Sequence, residues 1–148
     1  MNKKMYPVIH FEMPAKDNER VRKFYESVFG WQITQLSPDM GDFLLAFTTD
    51  TNPTNRMPKK AGAINGGFYK STQPDEQTKL TILVDDIHEV MKKIKVADGN
   101  FLPGAQGELD DIPGVGLFAT FVDTEGNRVT IYEDRSPDPA PEQKALLG

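Results

Sequence analysis

The chain contains one pattern twice, and this repeat limits the possible fold more than any other feature. The first copy, at residues 8–31, reads VIHFEMPAKDNERVRKFYESVFGW, and the second, at 79–101, reads KLTILVDDIHEVMKKIKVADGNF. Each copy has an apolar strand, an acidic turn and a helical segment that closes at a glycine. A repeated half-domain places a cleft where its halves meet, and clefts are where small molecules bind.

Both helices have recognisable ends and a periodic apolar face. Asp17 or Asn18 is placed to cap the first helix and Asp85 or Asp86 the second, because a short side-chain acceptor satisfies the first free N–H groups. Spacing of i, i+3, i+4 and i+7 predicts one buried stripe in the first helix, formed by Val21, Phe24, Tyr25 and Val28. In the second helix the equivalent face comprises Ile87, Val90, Met91 and Ile94. Gly30 and Gly99 are placed to end the two helices.

Three strand-like segments follow each helix, so the predicted order is βαβββ twice, in an α+β fold. The connections are mostly short, which favours antiparallel pairing beside a few crossovers. We expect a single domain of 148 residues, with module one at about 5–70 and module two at about 78–134. The proline-rich end, 135–148, is predicted to be a disordered or loosely docked tail.

Composition excludes several classes of protein. There are no cysteines, so disulfides, thiolate metal sites and cysteine nucleophiles are ruled out. The net charge is −5 and the basic residues are scattered, which argues against nucleic-acid binding. No apolar run approaches the roughly 20 residues that span a bilayer, so we expect no membrane association. The first residues lack the apolar core of a signal peptide, and we expect a cytoplasmic protein.

Three segments together resemble the vicinal oxygen chelate superfamily, which includes glyoxalase I, the bleomycin resistance proteins and the extradiol dioxygenases. They are HFEMPAKDNERVRKFYESVFGW, ILVDDIHEVMKKI and IPGVGLFATFVDTEGNRVTIYE, and the resemblance runs from about Tyr6 to Glu133. It implies two βαβββ modules that form a curved, mostly antiparallel half-barrel sheet with helices outside. It also implies a concave face that holds the ligand, a divalent metal in the enzymes, and assembly as a homodimer.

The metal-ligand positions implied by this resemblance are only partly filled by metal-binding residues. They correspond to His10, Lys79 and Thr130, of which a lysine ammonium repels a cation and a threonine is a weak neutral ligand. The only other histidine, His88, lies on the second helix, where we expect it to face solvent. We therefore predict no cofactor and no catalytic metal, with His10 as the best candidate ligand if zinc, nickel, manganese or iron does bind.

The ligand cavity is predicted to be lined by five residues on alternating strand positions: His10, Glu12, Lys79, Thr130 and Tyr132. Glu12 and Lys79 are expected to form a partly buried ion pair. The intervening residues should pack under the helices; they are Phe11, Met13, Leu80, Ile82, Val129 and Ile131.

The function predicted first is a glyoxalase/bleomycin-resistance-like protein that binds a small molecule without a metal. The alternative is a metal-dependent lyase, isomerase or dioxygenase of the same superfamily, and catalytic residues are not assigned for either. A third reading is a fold kept for interaction with a partner protein. No dinucleotide-binding, Walker or nucleophile-elbow motif occurs in the sequence.

Overall fold

A computed structural model describes residues 4–36 and 42–148 and divides the chain into two compact units. The first unit is His10–Lys79, and the second is Met1–Ile9 together with Leu80–Gly148. The segment SPDMGD (37–42), whose composition predicts a turn, lies outside the described residues except for Asp42. The mixture of helices and mainly antiparallel strands confirms the α+β class.

The elements follow the predicted βαβββ order in both halves, with two additions. The first half contains β1 (Val8–Ala15), α1 (Asn18–Phe29), β2 (Gln32–Gln35), β3 (Leu44–Phe47) and β4 (Asn65–Lys70). The second half contains β5 (Lys79–Leu83), α2 (Ile87–Val96), β6 (Asn100–Leu102), β7 (Asp110–Ile112), β8 (Gly116–Val122), β9 (Arg128–Asp134) and α3 (Pro141–Leu147). The additions are the short strand β7, which lies in a segment predicted to be a loop, and the helix α3.

Both units use the same strand pairing. In the first unit the order is β2-β3-β4-β1, and in the second it is β5-β9-β8-β6, with β7 added beside β8. The outer members of each repeat, β1 with β4 and β5 with β9, pair in parallel, whereas the other pairs are antiparallel. Parallel pairing requires a crossover connection, and each crossover here includes a helix. The strands of each unit therefore have one face against that unit's helix.

Helix α1 begins and ends as predicted, but part of its apolar stripe is exposed. The Asp17 carboxylate accepts a hydrogen bond from the Arg20 backbone N–H at 3.0 Å, and Gly30 adopts a left-handed conformation with φ of 71°. The prediction of burial was wrong for Phe24 and Val28, which are 54% and 56% exposed. The sheet contacts the side of the helix that carries Val21 and Tyr25, while the Phe24 ring packs on other aromatic rings of the helix.

Helix α2 packs on its sheet through the predicted face. Asp86 caps its first turn by accepting the His88 backbone N–H at 3.1 Å, and the Glu133 carboxylate accepts the Ile87 N–H at 3.0 Å. The residues of the predicted face contribute to one core, namely Ile87, Val90, Met91 and Ile94. The left-handed residue after this helix is Asp98, with φ of 72°, rather than Gly99.

The C-terminal segment was predicted as a disordered or loosely docked tail, and it contains helix α3. Gln143 is fully buried, and its side-chain oxygen accepts the Asp134 backbone N–H at 2.8 Å. The Asp134 carboxylate in turn accepts the Ala140 N–H at 2.8 Å, just before the helix. Leu146 packs against the cluster of Ile9, Leu83 and Tyr132. Polar contacts help to fix this segment in place. Because such contacts do not require a regular spacing of apolar residues, the sequence shows no helical period here.

Gly66 allows two strands to approach each other closely. A Cβ at this position would overlap the backbone oxygen and the ring of Phe11 on the neighbouring strand. The glycine at this position of β4 therefore has a steric reason. Within the residues that the structure describes, no helix is long and apolar enough to cross a membrane.

Three residues of the second unit form a charged hydrogen-bonded group. The Asp85 carboxylate accepts hydrogen bonds from the Lys4 ammonium at 2.6 Å and from the Tyr6 hydroxyl at 2.8 Å. Burial by itself raises the pKa of Asp85, but these donors outweigh it, and the pKa falls to about 2. Burial and the hydrogen bond to Asp85 raise the pKa of Tyr6 to about 12. Lys4 also donates to the Leu146 carbonyl at 2.9 Å, which ties α3 to this group.

This group should give stability a defined pH dependence. Since the pKa of Asp85 is lowered from 3.8, its contribution is complete above pH 3.8 and is lost as pH falls towards 2. Since the pKa of Tyr6 is raised from 10.0, its contribution is complete below pH 10 and is lost as pH rises through 12. We expect Asp85→Asn to lower the free energy of unfolding by about 1 kcal/mol at pH 7. The free energy of unfolding of this variant should also decrease less steeply as the pH falls.

Urea denaturation between pH 2 and 8 measures this effect. The matched control is Asp138→Asn, which removes an exposed ion pair with Lys144 in the same unit and should change stability by no more than about 0.5 kcal/mol. If stability decreases by the same amount at low pH in Asp85→Asn and in the unmodified protein, Asp85 is not the source of the acid dependence.

Candidate functional site

The face of β1 that carries the predicted site residues is the one turned away from α1. Phe11 and Met13 pack with Val21 and Tyr25 in the core between sheet and helix. Because side chains alternate along a strand, His10 and Glu12 lie on the opposite face. His10 is paired in register with Asn65 of β4, and Glu12 with Gly67.

Glu12 and Lys79 form the ion pair that the sequence predicted. The Lys79 ammonium lies 3.6 Å from the Glu12 carboxylate, and the two side chains are only 19% and 18% exposed. The same ammonium lies over the Tyr69 ring, 4.4 Å from its centroid. A partly buried charge is costly without a partner, so carboxylate and aromatic ring together hold Lys79 in place.

Thr130 and Tyr132 belong to the second unit, and both are buried. The hydroxyls of Thr130 and Thr120 share a hydrogen bond of 3.2 Å. The Tyr132 hydroxyl donates to the Val115 carbonyl at 2.9 Å, and its ring stacks on Phe118 with centroids 4.5 Å apart. These side chains therefore have partners within their own unit. A common cavity for them and the β1 residues stays a prediction.

The residues predicted to pack beneath the second helix divide into two groups. Ile131 is 2% exposed and joins the α2 core, with Ile82 packed against it. Leu80 is 46% exposed, so the expectation of burial was wrong there. Leu80 lies near the start of β5, on the same face as Ile82. Alternation predicts which face a residue lies on but does not predict how far the helix covers that face.

Two of the three implied metal positions hold side chains that have other partners. Lys79 carries a positive charge and is paired with Glu12, and the Thr130 hydroxyl is hydrogen-bonded to Thr120. His88 is exposed on α2, as expected. Among residues 4–36 and 42–148, no three histidine, aspartate or glutamate side chains group in a way that would hold a metal ion.

A cavity of about 440 Å³ lies within the first unit, at the ends of β2 and β3. Its walls come from the end of α1, two strand ends and the loop after β3; they are Gly30, Gln32, Phe47, Thr48, Thr49, Asp50, Thr51, Asn52, Pro53, Arg56 and Lys59. Gln32 and Phe47 are directly paired across the two strands. Alternation from the pairing of Ala46 with Gly66 puts Phe47 on the same sheet face as Asn65 and His10. We call this the β2–β3 cavity.

A buried amide holds the wall of the β2–β3 cavity in place. Asn65 is 2% exposed. Its side-chain oxygen accepts the Thr48 backbone N–H at 2.9 Å, and its amide nitrogen donates to the Thr51 hydroxyl at 3.0 Å. Thr48 also donates its hydroxyl hydrogen to the Ile64 carbonyl at 2.7 Å. The loop thus begins on a fixed anchor in the sheet.

Sequence reasoning did not find the β2–β3 cavity, since none of the five predicted site residues lines it. The segment TDTNPTNRMPKK reads as a polar loop, and loops have no period that assigns side chains to a face. The sequence feature that could have indicated this site is the pair Arg56 and Lys59. They lie in a loop rich in asparagine and threonine, whose side chains form local turns.

Part of the chain matches a known protein family. Residues 8–45 match the family model described as Bleomycin resistance protein-like N-terminal. No curated protein sequence matches the chain.

Solved structures with a similar fold cover most of the chain. The methylmalonyl-CoA epimerase from Mycobacterium tuberculosis is 12% identical, with a TM-score of 0.59 over 93% of this chain and 91% of that one. A methylmalonyl-CoA epimerase in complex with methylmalonyl-CoA and NH4+ is 12% identical, with a TM-score of 0.61 over 93% and 100%. A glyoxalase/bleomycin resistance protein/dioxygenase superfamily member from Vibrio splendidus 12B01 is 13% identical, with a TM-score of 0.55 over 88% and 100%. At these identities the likeness shows the fold.

The Glu12–Lys79 pair should have a measurable coupling energy. We expect a double-mutant cycle with Glu12→Gln and Lys79→Met to give about 1 kcal/mol, because both groups are mostly removed from water. The measurement is urea denaturation of the four proteins at pH 7. The control cycle uses the exposed pair Glu89 and Lys92 on α2, which should give about 0.3 kcal/mol. Equal coupling in the two cycles would contradict a special role for the partly buried pair.

Proposed function

We propose that this chain, whose fold is similar to that of a glyoxalase/bleomycin resistance protein/dioxygenase superfamily member, binds a small molecule without a catalytic metal. The binding face is the sheet face that carries His10 and Glu12. We also propose the homodimer and the cytoplasmic location that the sequence leads us to expect.

The single observation that carries this proposal is the Glu12–Lys79 ion pair. A divalent cation in a catalytic centre usually has three protein ligands and an open position for the substrate. Here the Lys79 ammonium lies beside Glu12 of β1, neutralises its charge and would repel a metal. His10 and Glu12 alone are too few ligands for a tight site. A neutral, partly polar surface of this kind suits an organic ligand better than a metal ion.

The similar structures fit a binding role for an organic molecule. Two of them are methylmalonyl-CoA epimerases, and one of these holds methylmalonyl-CoA. Those names describe the activity of those proteins, and a shared fold supports many different chemistries. They support for this chain only the general proposal that an organic ligand occupies the sheet face.

The proposal predicts ligand binding in the absence of metal. Protein purified without a polyhistidine tag and kept in EDTA should show saturable amide shifts in two-dimensional NMR with at least one member of a panel of small aromatic, aliphatic and thioester compounds. The affinity should be the same when EDTA is replaced by zinc. Failure of every compound to give saturable shifts would contradict a binding function.

Calorimetry with zinc, nickel, manganese and iron(II) tests the metal part separately. We expect no binding at submicromolar affinity, since His10 and Glu12 form at most a two-ligand site. One equivalent of tightly bound metal that is lost in His10→Ala would overturn the proposal and favour the metal-dependent enzyme.

A further inference from the structure

We propose that the β2–β3 cavity is a binding site for a small organic anion, an apolar molecule that carries one carboxylate or phosphate group. The inference rests on the proposed function, because it names a ligand class for the same sheet face. It assigns the anion to Arg56 and Lys59 and the apolar part to Phe47.

The charge on the cavity wall favours an anion. Two cations, Arg56 and Lys59, line the cavity together with a single carboxylate, Asp50, in a chain whose net charge is −5. In the described part of the chain, neither cation takes part in an ion pair. Guanidinium and ammonium groups that lack an internal acid are the usual ligands of carboxylate and phosphate oxygens.

The backbone that carries Arg56 is held in an unfavourable conformation. Arg56 has φ of 61°, a left-handed value that is unfavourable for a residue with a side chain. Its N–H donates to the Asn52 carbonyl at 2.8 Å, and the Asn52 N–H donates to the Met57 carbonyl at 2.8 Å. The Asn55 side chain accepts the Met57 N–H at 3.0 Å. These bonds fix the turn, so the backbone that carries the arginine is held in place before any ligand arrives.

The other walls suit the rest of such a ligand. Phe47 provides an aromatic surface, and Gln32 and Thr49 provide an amide and a hydroxyl beside it. Gly30 lines the cavity without a side chain, and a Cβ there would meet no other atom. A cavity of about 440 Å³ lies within the range of roughly 300–1,000 Å³ that is usual for small-molecule sites.

Phenyl phosphate is the probe that tests the site, followed by two-dimensional NMR of the backbone amides at low salt. We expect saturable shifts at Gly30, Gln32 and Thr49. Inorganic phosphate should bind more weakly because it lacks the apolar part, and phenol should give no saturable shift there because it lacks the anion. Affinity should fall as salt rises, since the cations are exposed to solvent.

Matched variants identify the groups responsible. Arg56→Gln and Lys59→Met should each weaken phenyl phosphate binding about tenfold, the usual effect of losing one hydrogen bond from a charged group. The control is Lys60→Met, which removes the same charge from the adjacent residue outside the cavity wall and should change affinity less than about twofold. Unperturbed amide signals elsewhere show that each variant is folded.

The inference would be overturned by the absence of saturable shifts at these amides, by equal effects of Lys60→Met and Lys59→Met, or by equal affinity for phenyl phosphate and phenol. Shifts that map instead to His10 and Glu12 would overturn it while leaving the proposed function intact. If no compound of the wider panel binds anywhere, the proposed function itself fails.

Discussion

The parallel pairing of the first and last strands is the constraint on which both units depend. Neighbouring parallel strands cannot be joined by a tight turn, so the chain must cross over between them. In each unit the crossover contains a helix, and this helix covers one face of the sheet. The helix does not cover the opposite face. The position of every site residue on β1 follows from this, because alternation sends Phe11 to the helix and its neighbours to the opposite face.

The two units use that opposite face differently. In the first unit it carries polar and charged groups, the Glu12–Lys79 pair among them. In the second unit the same face is packed, because Tyr132 joins an apolar cluster with Leu83 and with Leu146 of α3. Burying a leucine side chain stabilises a fold by about 1.5–3 kcal/mol. The two units therefore share one pairing pattern, but this face is packed with apolar side chains in the second unit and is polar in the first.

The sequence predicted the features that depend on local chemistry. Asp17 and Asp86 cap their helices because their acceptors reach the next N–H groups, which needs no information about the rest of the chain. The Glu12–Lys79 pair was also predictable, from strand alternation together with the family resemblance.

The features that depend on distant contacts were not predictable in this way. Periodicity shows which residues share a side of α1, but not that Phe24 would face away from the sheet. Helix α3 lacks an apolar period, and it docks through Gln143, whose partner Asp134 lies in another element. The β2–β3 cavity depends on a loop anchored by Asn65, a residue that looks like an ordinary polar position in a strand.

We propose that the Lys79 ammonium neutralises Glu12 and thereby disfavours a divalent metal on this sheet face. The most direct measurement is the ¹⁵N NMR signal of the Lys79 ammonium, recorded with and without zinc and again in the Glu12→Gln variant. The account predicts a signal that is slowed in exchange with water, unchanged by zinc and strongly shifted by the substitution. A Lys79 signal that zinc shifts or broadens, and that does not respond to Glu12→Gln, would contradict it.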